Sequence, residues 1–358
     1  MKPTAFNTVI VLMLSATLAF STRLSAQEQP NESTFTIFDP PGSIRTNPVS
    51  INATAVITGY YYDIRDLVHG FLRTRDGTIT IIDVPGEGEG PAEGTWPQAI
   101  NSAGIITGYY WDPQDLSHGF LRAHDGSIAT FDAPGASQTA PRAINPAGEI
   151  TGFYLEATGV YHGFLRTSRG TITTFDAPGA VFGTFALGIN PAGEITGSYQ
   201  GADGEYHGFL RTSRGTITTF NAPSPGFNTG PSAINPEGEI TGTYQDGFAF
   251  RSFLRARDGT ITTFEAPGVI PGAGNGTLSF SINPSGAITG SYIVANWGAA
   301  SHGFVRSPDG TFTAFAVPGA VAMSPSSISP TGEITGSFWD ARSVAHGFLR
   351  SAHARWEE

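Results

Sequence analysis

The sequence predicts an all-β fold, a seven-bladed β-propeller whose blades are four-stranded antiparallel meanders. Three observations carry that prediction. One unit recurs seven times with the same motifs in the same order. Spacing inside the unit is constant, whereas the connection to the next unit varies. The two chain ends carry complementary partial units. Repeats of about 40–50 residues with four strands each mark propeller blades.

The unit opens on an Ile-Asn pair, at Ile51-Asn52, Ile100-Asn101, Ile144-Asn145, Ile189-Asn190, Ile234-Asn235 and Ile282-Asn283, with Ile328-Ser329 as a seventh copy. An Ile-Thr-Gly triplet follows, ending at Gly59, Gly108, Gly152, Gly197, Gly242, Gly290 and Gly336. HGFLR or a close variant comes next, ending at Arg73, Arg122, Arg166, Arg211, Arg255, Arg306 and Arg350.

In the third copy, Arg142 to Asn145 reads as strand a, and Pro146-Ala147-Gly148 as a turn, since Pro fixes φ and Gly accepts φ > 0. Strand b runs from Glu149 to Tyr154 and strand c from His162 to Arg166. After the Ser168-Arg169-Gly170 turn comes strand d, Thr171 to Asp176, rich in the residues that strands favour. Four other copies place Asp-Gly at the c–d turn (Asp76-Gly77, Asp125-Gly126, Asp258-Gly259, Asp309-Gly310), a hairpin signal.

From the Ile of a to the last residue of d the distance is 32 in each of the first four copies, whereas the crossover to the next Ile ranges from 12 to 17. A crossover of variable length suits a chain leaving the outer edge of one sheet for the inner edge of the next. The last copy has a, b and c (Ser327 to Arg350) but no d, and Thr34 to Asp39 is a d strand with nothing before it. Strand 34–39 is therefore expected to pair with His346 to Arg350 and close the ring, hiding an edge that would template aggregation. An open β-solenoid is the alternative, and it does not predict complementary half-units. The expected blades span about 49–85, 98–134, 142–178, 187–223, 232–267, 280–318 and 326–350 plus 33–39.

Ahead of this single domain, 33–358, residues 1–26 read as a secretory signal peptide: Lys2, an apolar run from Val9 to Phe20, then Leu24-Ser25-Ala26. Residues 27–32 form a short linker. The apolar run is shorter than the roughly 20 residues of a membrane span, so export with cleavage is expected over a retained anchor. The protein is thus expected to be secreted, extracellular or periplasmic, and monomeric. With 39% hydrophobic residues and no cysteine, the fold must rest on its core alone, without thiol chemistry. Losing Lys2 and Arg23 with the leader takes the net charge from −11 to −13, and Lys2 is the only lysine. An acidic, lysine-free surface disfavours nucleic acid and anionic membranes.

His69, His118, His162, His207, His302 and His346 share one position, with Arg251 in the fifth copy, and d ends on Asp39, Asp83, Asp132, Asp176, Asn221, Glu265 and Ala316. Thr58 and its counterparts stand in strand b. Histidine, threonine and carboxylate invite a catalytic-triad reading. Seven near-identical copies cannot all be active sites, so a polar cluster fixing strand register is preferred, at about 1 kcal/mol per buried bond. The Gly of Ile-Thr-Gly is expected to admit an aromatic or the neighbouring sheet. The HGF and TTF phenylalanines are expected to fill the space between blades, and the recurring Arg to bond carbonyls at the c–d turn. No catalytic residue is assigned.

INPxGEITGxY with HGFLR and TTFDAPGA resembles the HAF-repeat family of probable extracellular repeat proteins, over essentially all of the mature chain. The middle residue of the triplet is Gly in six copies, and the fifth copy reads Arg251-Ser252-Phe253. The resemblance implies export and a propeller-like repeat, and no activity.

In a meander the a–b and c–d turns lie at one end and the b–c loops and d–a crossovers at the other. The first set is short and uniform, whereas the second varies, so copy-specific chemistry is expected on one face. Candidate ligand contacts there are Asp63, Trp96, Trp111, Asp112, Asp115, Tyr206, Trp297, Trp339 and Asp340. Tryptophan beside carboxylates suits a sugar ring, and would also suit a cationic ligand or Ca²⁺, although no cofactor is required. The expected function is a binding or scaffold propeller for a glycan or protein. An exported polysaccharide lyase or hydrolase and a purely structural repeat are the alternatives.

Overall fold

The structure, a computed structural model, describes residues 34–223, 227–269, 274–293 and 300–352. The expected signal segment, the linker and Trp297 lie outside them. The described residues form 28 strands and no helix.

After β1 (Phe35–Phe38), the first meander is β2 (Arg45–Ile51), β3 (Ile57–Tyr62), β4 (Val68–Arg73) and β5 (Ile79–Ile82). The second is β6 (Gly94–Ile100), β7 (Ile106–Trp111), β8 (Ser117–Arg122) and β9 (Ile128–Phe131). The third is β10 (Ala136–Ile144), β11 (Ile150–Glu156), β12 (Tyr161–Arg166) and β13 (Ile172–Phe175). The fourth is β14 (Gly183–Ile189), β15 (Ile195–Gln200), β16 (Tyr206–Arg211) and β17 (Ile217–Phe220). The fifth is β18 (Phe227–Ile234), β19 (Ile240–Asp246), β20 (Ala249–Arg255) and β21 (Ile261–Phe264). The sixth is β22 (Thr277–Ile282), β23 (Ile288–Ile293), β24 (Ser301–Arg306) and β25 (Phe312–Phe315). The last holds β26 (Ala322–Ile328), β27 (Ile334–Trp339) and β28 (Ala345–Arg350), and its fourth strand is β1, with Phe35 opposite Arg350 and Phe38 opposite Gly347.

Each first strand carries a bulge at one repeated place, for example between Pro141 and Ala143 or between Pro231 and Ala233. The Gly of Ile-Thr-Gly faces it. A Cβ on Gly152 would stand 2.7 Å from Pro141 Cα and closer still to the Ala140 carbonyl. The expectation of an approaching aromatic or sheet holds only in part: in every copy what comes closest is the meander's own first strand, pushed inward by its extra residue. A ring also approaches in some copies, as Phe253 does at Gly242.

The core lies between meanders rather than inside them. Seven apolar clusters each join the end of one unit to the centre of the next. Phe71, Phe120, Phe164, Phe209, Phe253, Phe304 and Phe348 are all fully buried. Most meet a phenylalanine from the preceding last strand edge-on, as Phe175 meets Phe209 at 6.1 Å and Phe220 meets Phe253 at 6.1 Å. The recurring Arg lies over that same ring, Arg211 at 4.9 Å from Phe175, while its guanidinium donates to the next carbonyl, Thr212 O. The same contact joins the two chain ends: Phe38 on β1 meets Phe71 at 6.1 Å, with Arg73 above it at 4.8 Å. Ser326 and Ser337 of the last meander donate to Pro48 O and Thr46 O of the first.

Two further sets of bonds step from unit to unit. Buried Asn side chains donate from Nδ2 to the carbonyl of the next unit's Asn: Asn52 to Asn101, Asn101 to Asn145, Asn145 to Asn190 and Asn190 to Asn235. Asn283 donates to Ser329 O in the same way. At the opposite end, the second residue after the fourth strand donates its N–H, in five units, to a buried Thr on the next first strand, as Ala177 does to Thr184 and Ala222 to Thr229.

Candidate functional site

The b–c loops and the crossovers share one end of the sheets, as antiparallel pairing requires. Of the ten exposed large apolar side chains among the described residues, eight lie there: Ile44, Ile64, Leu116, Val181, Phe182, Phe227, Phe248 and Val321. The other two, Ile37 and Ile81, sit on outer strands. Ile64 is 85% and Phe248 82% exposed, so the loop tips point apolar groups into water.

Beneath the tips runs an aromatic band across the first four meanders. Tyr60 lies 4.4 Å from Trp96, and Trp96 stacks on Tyr109 at 5.9 Å. Arg142 bridges Tyr109 and Phe153, and Phe153 meets Phe185 at 5.2 Å. Phe185 reaches Tyr206 at 6.1 Å. The band ends at a cavity of about 180 Å³ lined by Asp203, Glu205, Tyr206, His207, Asn221, Phe227, Asn228 and Thr229. Asn228 accepts the Tyr206 N–H and holds a positive φ of 51°, which fixes the rim.

This geometry redistributes the candidate contacts. Tyr206 lines the cavity. Trp96 is only 8% exposed and belongs to the buried band. Trp111 is half-buried, edge-on to Tyr109 at 6.4 Å. Trp339 is half-buried at the matching place on β27. Asp63, Asp112 and Asp340 hold their own loops: Oδ1 of each accepts two backbone N–H groups, from Arg65 and Leu67, Gln114 and Leu116, and Arg342 and Val344. Asp115 occupies the left-handed turn position, φ 60°. Among the described residues, the tryptophans and carboxylates therefore do not gather in one pocket.

The repeated histidines stand on the outer half of the same face, each against an aromatic ring, as His207 is against Tyr199 at 5.0 Å. Nδ1 faces the end of the last strand: His69 to Asp83 2.9 Å, His118 to Asp132 2.9 Å, His162 to Asp176 2.9 Å, His207 to Asn221 2.8 Å and His346 to Asp39 2.7 Å. Thr58 and its counterparts take no part, since each hydroxyl donates to the carbonyl of the buried Phe. The His–Thr–carboxylate grouping is corrected to a second carboxylate on Nε2: Asp112 on His118 at 3.2 Å and Asp203 on His207 at 3.2 Å, with Asp63, Glu156 and Asp340 between 3.7 and 3.8 Å from theirs. Arg251 spans the same two places, bonding Asp246 and Glu265. For His118, burial opposes protonation, but hydrogen bonds to Asp132 and Asp112 prevail and lift it above the ordinary histidine range. His302 faces Ala316 instead, and burial pushes it down.

One copy departs from the pattern. Glu87, on the crossover after β5, joins His69 and Asp83 with donor atoms all within 4.8 Å of one another. Its carboxylate accepts the Thr95 hydroxyl hydrogen. Burial pushes Glu87 up to about 7, against the pull of Thr95 and with the charge of Asp83 adding to it. The repeat had concealed this residue, because it lies in a variable crossover.

The arrangement of sheets has known counterparts. A virginiamycin B lyase from Staphylococcus aureus, solved with quinupristin, superposes with a TM-score of 0.57 at 16% identity, over 90% of this chain and all of that one. The β-propeller domain of the Trilobed protease from Pyrococcus furiosus gives 0.61 at 8% identity, over 87% and 94%. This chain folds as a β-propeller. A puromycin hydrolase gives 0.60 at 12% identity, with 90% of this chain on 56% of that one. No protein-family model matches the sequence, and no curated protein does. At these identities the likeness concerns the fold alone.

Proposed function

We propose that this chain is a secreted binding propeller of the HAF-repeat kind, its seven meanders forming the blades of a ring that β1 completes. Its variable-loop face takes a macromolecular ligand, a glycan or a protein segment. One observation carries the reading: the exposed apolar groups collect on that face and are absent, among the described residues, from the face made by the short turns. Apolar side chains held out at loop tips favour contact with a partner, because covering them removes apolar area from water. The Tyr206–Phe227 cavity supplies a flat ring and nearby acceptors, which suits a sugar.

The test is a glycan array and a pull-down with residues 34–358, repeated with Tyr206→Ala and with Phe248→Ser. Ligand capture lost in either variant supports the reading. Capture that survives both substitutions places the ligand elsewhere, and no capture at all refutes a binding role. Turnover of a polysaccharide panel would favour the lyase or hydrolase alternative.

A further inference from the structure

Among the described residues, only the first unit's histidine cluster brings three metal-ligating groups together with their donor atoms all within 4.8 Å of one another. In the second, third and seventh units the crossover after the last strand reads APGAS, APGAV and PPGSI, with no acid to reach the imidazole. In the first it reads VPGEG, and Glu87 comes within 4.8 Å of both His69 and Asp83. His69 Nδ1 and Asp83 Oδ1 lie 2.9 Å apart. Two ligands about 2.0–2.2 Å from a common ion and roughly at right angles are separated by about that distance.

The surroundings match what a bound cation needs. The other ring nitrogen of His69 faces Asp63 Oδ2 at 3.8 Å, and Asp63 is itself fixed by the Arg65 and Leu67 N–H groups. With an ion on Nδ1 in place of the hydrogen bond to Asp83, the imidazole proton would sit on Nε2, the side that faces Asp63. The Thr95 hydroxyl, a buried group that also accepts the Val84 N–H, holds Glu87 toward the site. Asp83 and Glu87 repel one another there, and a divalent ion between them removes that repulsion.

We propose that His69 Nδ1, Asp83 and Glu87 bind one first-row divalent ion, of the zinc or manganese class, at the outer rim of the variable-loop face. One imidazole with two carboxylates selects this class over calcium, which takes six to eight oxygens. The site is separate from the Tyr206 cavity, so neither proposal depends on the other.

Untagged, chelator-stripped protein titrated with zinc and with manganese by isothermal calorimetry tests the assignment. One equivalent of either ion is expected, with affinity at least tenfold weaker in Glu87→Gln. Asp132→Asn, which alters the His118 cluster of the second unit, is expected to leave that equivalent unchanged. Melting of each variant in chelator verifies its fold independently of metal. Failure of both ions to bind overturns the proposal, as does wild-type affinity in Glu87→Gln. Binding of calcium alone overturns the role of the imidazole.

Discussion

Replacing Asn190 by alanine should be among the most damaging single changes on the short-turn face. The side chain is 1% exposed and makes four hydrogen bonds. Its Oδ1 accepts from Ala192 N at 3.0 Å and Glu194 N at 2.9 Å, closing the turn between β14 and β15. Its Nδ2 donates to Glu194 at 2.8 Å and to Asn235 O of the next unit at 3.2 Å. At about 1 kcal/mol for each bond, the loss is about 4 kcal/mol. For a domain of roughly 320 residues the melting entropy is about 0.7 kcal/mol/K, so the midpoint should fall by about 6 °C. Ser329→Ala calibrates the turn alone. Ser329 caps its turn through Glu333 N at 3.0 Å and Thr331 at 2.8 Å, but has no amide to extend to a neighbour. Its loss should cost about half as much, about 3 °C. Asn190→Ser, keeping the cap without the reach, should fall between wild type and Asn190→Ala. Differential scanning calorimetry on the three variants decides. A midpoint for Asn190→Ala within about 2 °C of wild type would falsify the claim that these side chains tie unit to unit.

Gly152→Ala should destabilise by about 1–3 kcal/mol, because its Cβ would meet the bulged backbone at Pro141, whereas Gly188→Ala, whose nearest neighbour would be 3.4 Å away, should melt close to wild type. Histidine NMR titration should place His118 above the usual range and His302 below it. Because His118 is raised, its stabilisation is full below about pH 6.5 and is lost as pH rises through its folded value. Ala316→Asp should give His302 a partner and move it upward, and a titration that stays put would refute the carboxylate account. Deleting residues 1–39 removes β1 and leaves β28 as a bare edge beside an uncovered Phe71, so size-exclusion chromatography should show aggregation in place of a single compact peak.

The strand order was readable because one unit could be checked against six others, and the partner of β28 followed from the unmatched strand at 34–39. The bulge was not readable: every copy carries the same extra residue, so nothing in the spacing marks it. Spacing therefore shows the room that Gly152 and its counterparts make for a ring, as at Gly242, but not the bulged strand that lies closer. The second carboxylate on the histidines had a sequence signal, an acid six residues before His69, His118, His162 and His346, but it lies in loops whose variety drew attention to ligands. The sequence places Trp96 among the surface contacts because loop and strand meet there. Its burial depends on Tyr60 and Tyr109 from two different units, a relation that period alone does not encode.

Three repeated ties between units point one way. An amide, a terminal phenylalanine or a backbone N–H on one unit engages its successor, so every unit has a giving flank and a receiving flank. Such joints are heterologous, and a stretch of them ends only when its last giver meets its first receiver. A fragment of three or four units would therefore bring two unsatisfied, mutually complementary ends, and mixing separately expressed halves of this chain should regenerate the whole.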